Sequence, residues 1–223
     1  MIKNLIIAID GPSGAGKGTV ARAVASALGY QHVDSGAMYR AVGWKALRTG
    51  VSLDDQAAVA SLAESSQIEV GADRVVIDGH DVTREIRTPE IDRAATSVAR
   101  LPAVRAVLVA QQRAMGGIGG VVMEGRDIGT VVFPQADVKL YLDAAPEERA
   151  RRRAADPAHS GGPTTVSDVA TLLTERDRLD STRPASPLYR AENAIVVDTT
   201  GKSVELVVAE VLEVVRKALN PEP

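Results

Sequence analysis

The chain has 223 residues, 45% of them hydrophobic, which is enough for one α/β domain with small insertions and a full apolar core. Its formal net charge of −3 and its aromatic content of only 3% exclude a nonspecific nucleic-acid binder and a stacking platform for single strands. Cysteine is absent, which excludes disulfides and thiolate metal sites.

The first distinctive stretch in chain order is the glycine-rich Gly11-Pro-Ser-Gly-Ala-Gly-Lys17-Gly-Thr19. An apolar run at 5–10 precedes it and a helical pattern at 20–28 follows it, which is the context of a phosphate-binding loop. The glycines let backbone N–H groups converge on an anion, and the helix N-terminus adds a favourable dipole. The hydroxyl of Thr19 comes one residue late, after Gly18, an ending similar to that of nucleoside monophosphate kinases. We therefore do not expect Thr19 to hold Mg²⁺ as the hydroxyl does in GTPases.

In the next part of the chain, the hydrophobic pattern changes from helical to strand-like and then back to helical. A short strand at 31–34 and a helix at 37–47 come first, and a further helix is expected to begin near Leu53 and Asp54. Period-2 segments at 68–70 and 74–77 then flank a Gly/Asp turn, which predicts a small antiparallel hairpin in an inserted subdomain. Helical patterns return at Pro89 and at Pro102.

The second half of the chain alternates strands and helices. Strands are expected at 121–124, 137–143 and 194–198, and helices from Pro146, over about 167–182 and over 204–219. The stretch 156–165 is rich in Gly, Pro and Ser and is typical of a mobile loop. Alternation of this kind predicts a parallel sheet covered on both faces, with ligands at the carboxyl ends of its strands.

Few side chains in this sequence suggest acid–base catalysis, whereas arginines are concentrated near strand ends and loops. The three histidines, His32, His80 and His159, occur in unrelated contexts and are interpreted as structural or surface residues. Arginine matches phosphate oxygens bidentately, and a phosphate acceptor is already nucleophilic at neutral pH because its second pKa is about 6. The composition therefore favours a phosphate acceptor over an alcohol. The arginines concerned are Arg40, Arg126, Arg149, Arg151, Arg152, Arg153, Arg176 and Arg183.

Two of these arginine groups allow more than one interpretation. Arg176, Asp180 and Arg183 have the spacing of one helix face, which fits either a solvated salt-bridge ladder or a ligand site. The cluster at 149–153 fits either a basic last turn that complements the helix dipole or a closing lid beside a Gly/Pro loop.

Five motifs together resemble the bacterial cytidylate (CMP/dCMP) kinases over essentially the whole chain. The phosphate loop is the least specific of them, and Asp34-Ser-Gly-Ala-Met-Tyr-Arg40 and Gly125-Arg-Asp-Ile-Gly-Thr-Val-Val-Phe-Pro134 are far more specific. The others are Glu85-Ile-Arg87-Thr and Glu175-Arg-Asp-x-x-Asp180-x-x-Arg183. Two departures are Thr96, where the family commonly has serine, and Glu124, where it often has aspartate.

The resemblance implies a three-layer α/β P-loop kinase fold in one domain spanning 1–223. The implied core is 1–38, 103–150 and 165–223, with a monophosphate-binding insertion at about 39–102 that holds a small antiparallel sheet, and a short lid at about 151–164. The implied reaction transfers the γ-phosphoryl group of ATP to CMP or dCMP, with Mg²⁺ as cofactor. No direct metal ligand is assigned, and Asp127 or Asp34 is expected to act through water.

The resemblance also implies roles for individual residues. The implied catalytic residues are Lys17, Arg126, Arg152, Arg153 and Arg183. The implied ATP-phosphate ligands are Gly11, Pro12, Ser13, Gly14, Ala15, Gly16, Lys17, Gly18 and Thr19. The implied CMP ligands are Ser35, Arg40, Thr96, Arg105, Arg126, Asp127, Arg176, Asp180 and Arg183. Within this set, Arg176 and Asp180 would face the ribose, and Thr96, Arg105 and Asp127 the cytosine edge.

The sequence has no secretory leader pattern and no apolar run near the ~18 residues of a membrane span, so a cytoplasmic monomer without membrane or nucleic-acid partners is expected. One alternative is a phosphate-loop kinase for a hydroxylated acceptor, of the dephospho-coenzyme A or shikimate type. Another is a nucleotide switch, because Asp198-Thr-Thr-Gly201 formally matches the GTPase D-x-x-G. A structural role without catalysis is the least favoured.

Overall fold

The computed structural model of this chain describes residues 4–156 and 165–220. Eight strands and eight α-helices follow one another along these ranges. In chain order they are β1 (Ile6–Asp10), α1 (Lys17–Leu28), β2 (Gln31–Asp34), α2 (Ser35–Thr49), α3 (Gln56–Glu64), β3 (Ile68–Val70), β4 (Val75–Ile77), β5 (His80–Asp81), α4 (Pro89–Ala99), α5 (Pro102–Gly116), β6 (Val121–Gly125), β7 (Val138–Asp143), α6 (Pro146–Ala154), α7 (Val166–Thr182), β8 (Ile195–Asp198) and α8 (Val204–Leu219).

Five strands form a parallel sheet in the order β2-β6-β1-β7-β8. The central strand β1 is buried along most of its length, as expected for a parallel strand covered on both faces. The register aligns the carboxyl ends of the strands, with Asp10 beside Gly125 and Asp34 beside Glu124. One edge of the sheet therefore collects the polar residues that the sequence places after its strands.

Apolar layers cover both faces of this sheet. On one face, the side chains of α1 and α8 pack against the strands through residues such as Val24 and Val211. On the other, α5 packs with Met123 of β6 through Val109. The predicted α/β fold with a parallel sheet between helices is confirmed. Along the described ranges, no helix combines the length and the hydropathy that crossing a membrane requires.

The second sheet is the small antiparallel one that the hairpin pattern predicts. Its order is β3-β4-β5, with Ile68 opposite Ile77. It packs with α2, α3, α4 and α5 into a separate apolar cluster. Gly43 lets α2 approach α4 closely, because a Cβ there would lie 3.0 Å from the Cβ of Ala94.

Local differences from the sequence expectations are small and have capping chemistry as their cause. The helix expected near Leu53 begins at Gln56, because Asp55 is its N-cap and accepts a hydrogen bond from Ala58 N at 3.0 Å. A π-helical turn at Ile128–Val132 was not expected from the sequence. The Asp10 carboxylate accepts from the backbone N–H groups of Ile128 and Gly129 at 2.8 and 2.7 Å and so fixes the start of this turn. Residues 157–164, most of the expected lid loop, lie outside the described residues.

Candidate active site

The phosphate loop between β1 and α1 has a shape that only glycine allows at key positions. Gly11, Gly14 and Gly16 have φ angles of 144°, 81° and 86°. A Cβ on Gly11 would lie 2.0 Å from the backbone oxygen of Leu142, and one on Gly14 would lie 2.8 Å from that of Arg149. The loop is therefore held tightly between β7 and α6.

Lys17 is the first residue of α1, and its side chain is turned back toward the loop. It is 7% exposed, and its Nζ donates a hydrogen bond to the backbone oxygen of Pro12 at 2.7 Å. Burial, together with the nearby Arg126, lowers the pKa of Lys17 to about 7. A bound polyphosphate would stabilise the charged form of this ammonium group.

The ion pair between Arg149 of α6 and Asp177 of α7 holds the phosphate loop in place. The sequence did not predict this pair. Arg149 Nη1 donates to the Ser13 oxygen at 3.1 Å and pairs with Asp177. The carboxylate of Asp177 in turn accepts from Ser13 N at 3.3 Å. The only sequence signal for Asp177 is its place next to Arg176 in the Glu-Arg-Asp motif.

Arg152 lies on the loop side of the cleft, because Thr199 fixes it there. Its Nη1 and Nη2 donate to the hydroxyl and the backbone oxygen of Thr199 at 2.8 and 2.6 Å. The Thr199 hydroxyl is also within donating distance of two backbone oxygens, that of Asp143 at 3.1 Å and that of Ala15 in the phosphate loop at 3.2 Å. Thr199, part of the formal D-x-x-G match, is thus a buried support for the phosphate loop.

Arg153, the next residue of α6, points to a different place. It pairs with Asp92 on α4, and so do Arg40 on α2 and Arg176 on α7. The Arg40 Nε is 3.0 Å, and the Arg176 Nη1 3.7 Å, from the Asp92 carboxylate. Asp92 is a further residue that the sequence did not indicate, since an acidic residue in a helix's first turn is ordinary.

A second group of buried charges lies between β6 and α7. Asp127 pairs with Arg105 and, at 3.5 Å, with Arg183. Asp180 pairs with Arg126 at 2.9 Å and with Arg183 at 3.7 Å. Because carboxylates and guanidinium groups alternate, each buried charge has an opposite neighbour.

The pKa of Asp180 shows that the neighbouring arginines outweigh the effect of burial in this group. Burial alone would raise this pKa, but Arg126, Arg176 and Arg183 hold it below its ordinary value. Arg176 and Arg183 therefore face other charged residues of the cleft, so the spacing of Arg176, Asp180 and Arg183 does not mark a solvated ladder. Arg149, Arg152 and Arg153 likewise contact groups beyond their own helix.

The remaining predicted polar residues make hydrogen bonds close to these charges. The Ser35 hydroxyl donates to the Glu124 backbone oxygen at 2.7 Å, and the Thr96 hydroxyl to the Asp92 backbone oxygen at 2.9 Å. His32 is buried, and its Nε2 is 3.1 Å from Glu124 Oε1. Glu124 itself approaches the phosphate loop, since a Cβ on Gly18 would lie 3.1 Å from its Oε1.

One cleft of about 850 Å³ unites these groups. Its lining includes every predicted site residue except Gly11 and Pro12, which lie at the start of the phosphate loop. Thr19 lines the cleft with an exposed side chain. Asp73 and Arg74, at the β3–β4 turn of the insertion, complete one wall.

The carboxylates of the cleft suit a metal bound mainly by phosphate and water. Within 4–156 and 165–220, no three His, Asp or Glu side chains cluster as a protein metal site would require. Asp34 and Glu124 end adjacent strands, and both line the cleft beside the loop. Hard oxygen donors in this number fit Mg²⁺, which keeps several waters when it binds with a nucleotide.

Comparison with known proteins agrees with this geometry. A family model described as cytidylate kinase matches residues 7–217. A cytidylate kinase of Pelotomaculum thermopropionicum is 52% identical over 207 residues, covering 91% of this chain and 92% of that protein. One of Solibacter usitatus is 48% identical over 220 residues, covering 98% of this chain and 95% of that protein.

Solved structures add the fold alone. A gluconokinase from Sinorhizobium meliloti 1021 is similar, with a TM-score of 0.50 and 17% identity, covering 97% of this chain and 95% of that one. The family model and the two cytidylate kinases extend over nearly the whole chain, so the match is not confined to the phosphate loop. The chain therefore belongs to the cytidylate kinase family, which confirms the kinase activity on CMP or dCMP that the sequence predicts.

Proposed function

We propose that this protein transfers the γ-phosphoryl group of ATP to the phosphate of CMP or dCMP, giving ADP and CDP or dCDP, with the residue roles given below. One observation carries the proposal. A phosphate loop forms one side of a single cleft, and arginines that include the half-buried Arg40 and Arg126 and the buried Arg183 form the other.

The donor side of the cleft is assigned to ATP. Backbone N–H groups of the loop from Gly11 to Thr19 would bind its phosphates, and the ammonium of Lys17 would contact the β- and γ-phosphates. Arg152 lies on this side, where its bonds to Thr199 hold the guanidinium close to Gly16. We therefore assign Arg152 to the transferring phosphoryl group.

The acceptor side is assigned to the nucleoside monophosphate. Ser35, Arg40, Arg126 and Arg183 would bind its phosphate, because arginine forks match phosphate oxygens. Arg176 and Asp180 are assigned to the ribose. The cytosine edge is assigned to Thr96, Arg105 and Asp127, whose hydroxyl, guanidinium and carboxylate supply both donors and acceptors.

The reaction between the two sides is an in-line attack of the acceptor phosphate on the γ-phosphorus of ATP. An acceptor phosphate is ionised at neutral pH, so the main barrier is the repulsion between two anions. Arg126 and Arg183 from the acceptor side, with Arg152 and Arg153 from α6, would offset this repulsion. When bound with ATP, Mg²⁺ would neutralise phosphate charge, and its water ligands would meet Asp34 or Asp127, the carboxylates expected from the sequence. Asp34 is the more available of the two, because Asp127 pairs with Arg105 and Arg183.

Domain organisation and setting belong to the same proposal. We assign the core to 1–38, 103–150 and 165–223, the insertion to about 39–102 and the lid to about 151–164. The separate apolar cluster around the small sheet supports the insertion as a folding unit. Because all the assigned ligands come from one chain, a monomer suffices, and the ATP and CMP substrates favour a cytoplasmic setting.

An ADP-release assay across acceptors tests the function. Purified protein with ATP and Mg²⁺ should turn over CMP and dCMP with a higher kcat/KM than UMP, AMP or an alcohol such as shikimate. The Lys17→Met variant controls for contaminating kinases and should be inactive. Faster turnover of an alcohol, or tight GTP binding with slow hydrolysis that no acceptor stimulates, would contradict the proposal.

A further inference from the structure

Asp92 is placed where a substrate anion would be expected. It lies in the first turn of α4, on the inserted segment, and three arginines from three other helices converge on its carboxylate. These are Arg40 of α2, Arg153 of α6 and Arg176 of α7. Its side chain is only 17% exposed. Groups of arginines from separate elements that meet on one anion are the usual architecture of a phosphate site.

The three arginines lie close enough to repel one another, so a negative charge between them stabilises their charged forms. Burial, with Arg40 nearby, lowers the pKa of Arg176 to about 10, and Asp92 opposes that shift. The pKa of Arg40 shows the opposite balance, because Asp92 and Asp34 raise it despite burial. Asp92 therefore supplies counter-charge to guanidinium groups that would otherwise repel one another.

We propose that Asp92 is a resident counter-ion of the acceptor-phosphate site, and that it sets the affinity for the monophosphate by competing with the phosphate for Arg40 and by neutralising Arg153 and Arg176 beside it. The inference rests on the proposed function, since Arg40 is there assigned to the acceptor phosphate. Binding of CMP is then an exchange, in which the phosphate takes over the Arg40 guanidinium that the Asp92 carboxylate holds before binding.

The exchange predicts the direction in which removal of the Asp92 charge changes the affinity for CMP. Without the Asp92 charge, each of the three arginines loses one opposite charge, so a phosphate gains more on binding and meets less repulsion. A ligand without a phosphate has no charge that could gain from the change, because the ribose hydroxyls assigned to Arg176 are neutral. The effect therefore depends on the ligand's charge, which separates a counter-ion from a residue that only supports the shape of the pocket.

The test compares CMP with cytidine, by calorimetric titration of the substrate-free protein and of its variants. Asp92→Asn and Asp92→Ala are each expected to tighten CMP binding by about tenfold and to leave cytidine binding unchanged. Asp92→Glu retains the charge and should keep the wild-type affinity for CMP. The matched control is Asp78→Asn, which also removes an ion-paired carboxylate of the insertion, 2.6 Å from Lys45 Nζ, and should change neither affinity.

Thermal unfolding verifies that each variant is folded, and two charge-removing variants are made so that one misfolded protein does not end the experiment. Unchanged or weaker CMP binding in a folded Asp92→Asn or Asp92→Ala protein would overturn the proposal. Equal tightening of CMP and cytidine would do so too, because it would indicate a reshaped pocket. A wild-type protein that phosphorylates CMP while these results fail would refute the counter-ion and leave the proposed function standing.

Discussion

Arg152 and Thr199 are joined by two hydrogen bonds, one to the threonine hydroxyl at 2.8 Å and one to its backbone oxygen at 2.6 Å. The same hydroxyl lies within donating distance of the backbone oxygens of Asp143, at the end of β7, and of Ala15, in the phosphate loop. A residue at the end of β8 thus connects an arginine of α6 to the loop that is assigned to ATP.

Thr199→Val should therefore weaken ATP binding selectively. The substitution removes the hydroxyl from a buried position and leaves Arg152 and the Ala15 oxygen short of a partner, at a typical cost of about 1–3 kcal/mol. We expect the KM for ATP to rise by about tenfold while the KM for CMP stays within about twofold. Steady-state kinetics with each substrate varied in turn measures both. Thr174→Val is the control, because this exposed threonine of α7 donates only to the Ala170 oxygen of its own helix, and an equal effect there would refute the connection.

Arg183→Ala should affect the acceptor and spare the donor. Arg183 is buried with Asp127 and Asp180, and it is assigned to the acceptor phosphate. We expect kcat/KM for CMP to fall by about 10²-fold or more, because a charge that faces the transferring group is lost. Affinity for ATP, measured by titration without CMP, should remain near the wild-type value. Arg178→Ala on the exposed face of the same helix is the control, and a collapse of ATP affinity in Arg183→Ala would make the assignment wrong.

We expect Lys17 to take up a proton when ATP binds, because its pKa is lowered in the substrate-free protein. With a pKa of about 7 in the substrate-free protein, Lys17 is mostly neutral at pH 8, and the phosphates of ATP favour its charged form. ATP affinity should therefore decrease as the pH rises above 7. Calorimetry at pH 8 in buffers with different ionisation enthalpies should report net proton uptake, and Lys17→Met should abolish it.

The same shift has the opposite effect on the stability of the substrate-free protein. The pKa of Lys17 is lowered in the fold from 10.5 to about 7, so between these values the unfolded chain binds more protons than the folded one. The contribution of Lys17 to the free energy of unfolding therefore rises with pH through this window. Urea unfolding at pH 7 and pH 9 should show a rise in wild type that exceeds the rise in Lys17→Met.

Gly14→Ala should abolish ATP binding for a reason of space as well as of backbone strain. Its φ is 81°, and an added Cβ would lie 2.8 Å from the backbone oxygen of Arg149. Gly29, at the end of α1, has a φ of 66° but nothing within 4 Å of the same position. Gly29→Ala should therefore lose only about 1 kcal/mol of stability and keep ATP affinity. Equal ATP affinities in the two variants would contradict the prediction, because neither the strain nor the contact with Arg149 at Gly14 would then affect ATP binding.

The sequence could predict the strands, helices and turns that neighbouring residues determine. The strand at Gln31–Asp34 and the helix at Val204–Leu219 have the predicted bounds, because apolar period and caps coincide there. The hairpin around 68–77 was predicted for the same reason, with a Gly/Asp turn between two period-2 segments. The family followed from motifs rather than from periodicity, and it is confirmed.

Residues that act through distant partners could not be found in this way. Asp92 and Asp177 are acidic residues on helices, and only the fold brings them to arginines 28 or more residues away. The π-helical turn after Asp127 depends on the carboxylate of Asp10, which lies more than a hundred residues earlier, so no local pattern could reveal it. His32, interpreted as structural or surface, is buried against Glu124, a contact that needs the pairing of β2 with β6.

Asp10 has a consequence for how the two substrates are kept in register. It is the last residue of β1, directly before the phosphate loop, and its carboxylate holds Ile128 and Gly129, directly after Arg126 and Asp127. The Asp10 side chain therefore fixes the distance between the segment assigned to the donor and the segment assigned to the acceptor. Any shift at this position would move both reacting phosphates relative to each other, so the spacing needed for phosphoryl transfer is built into the sheet itself.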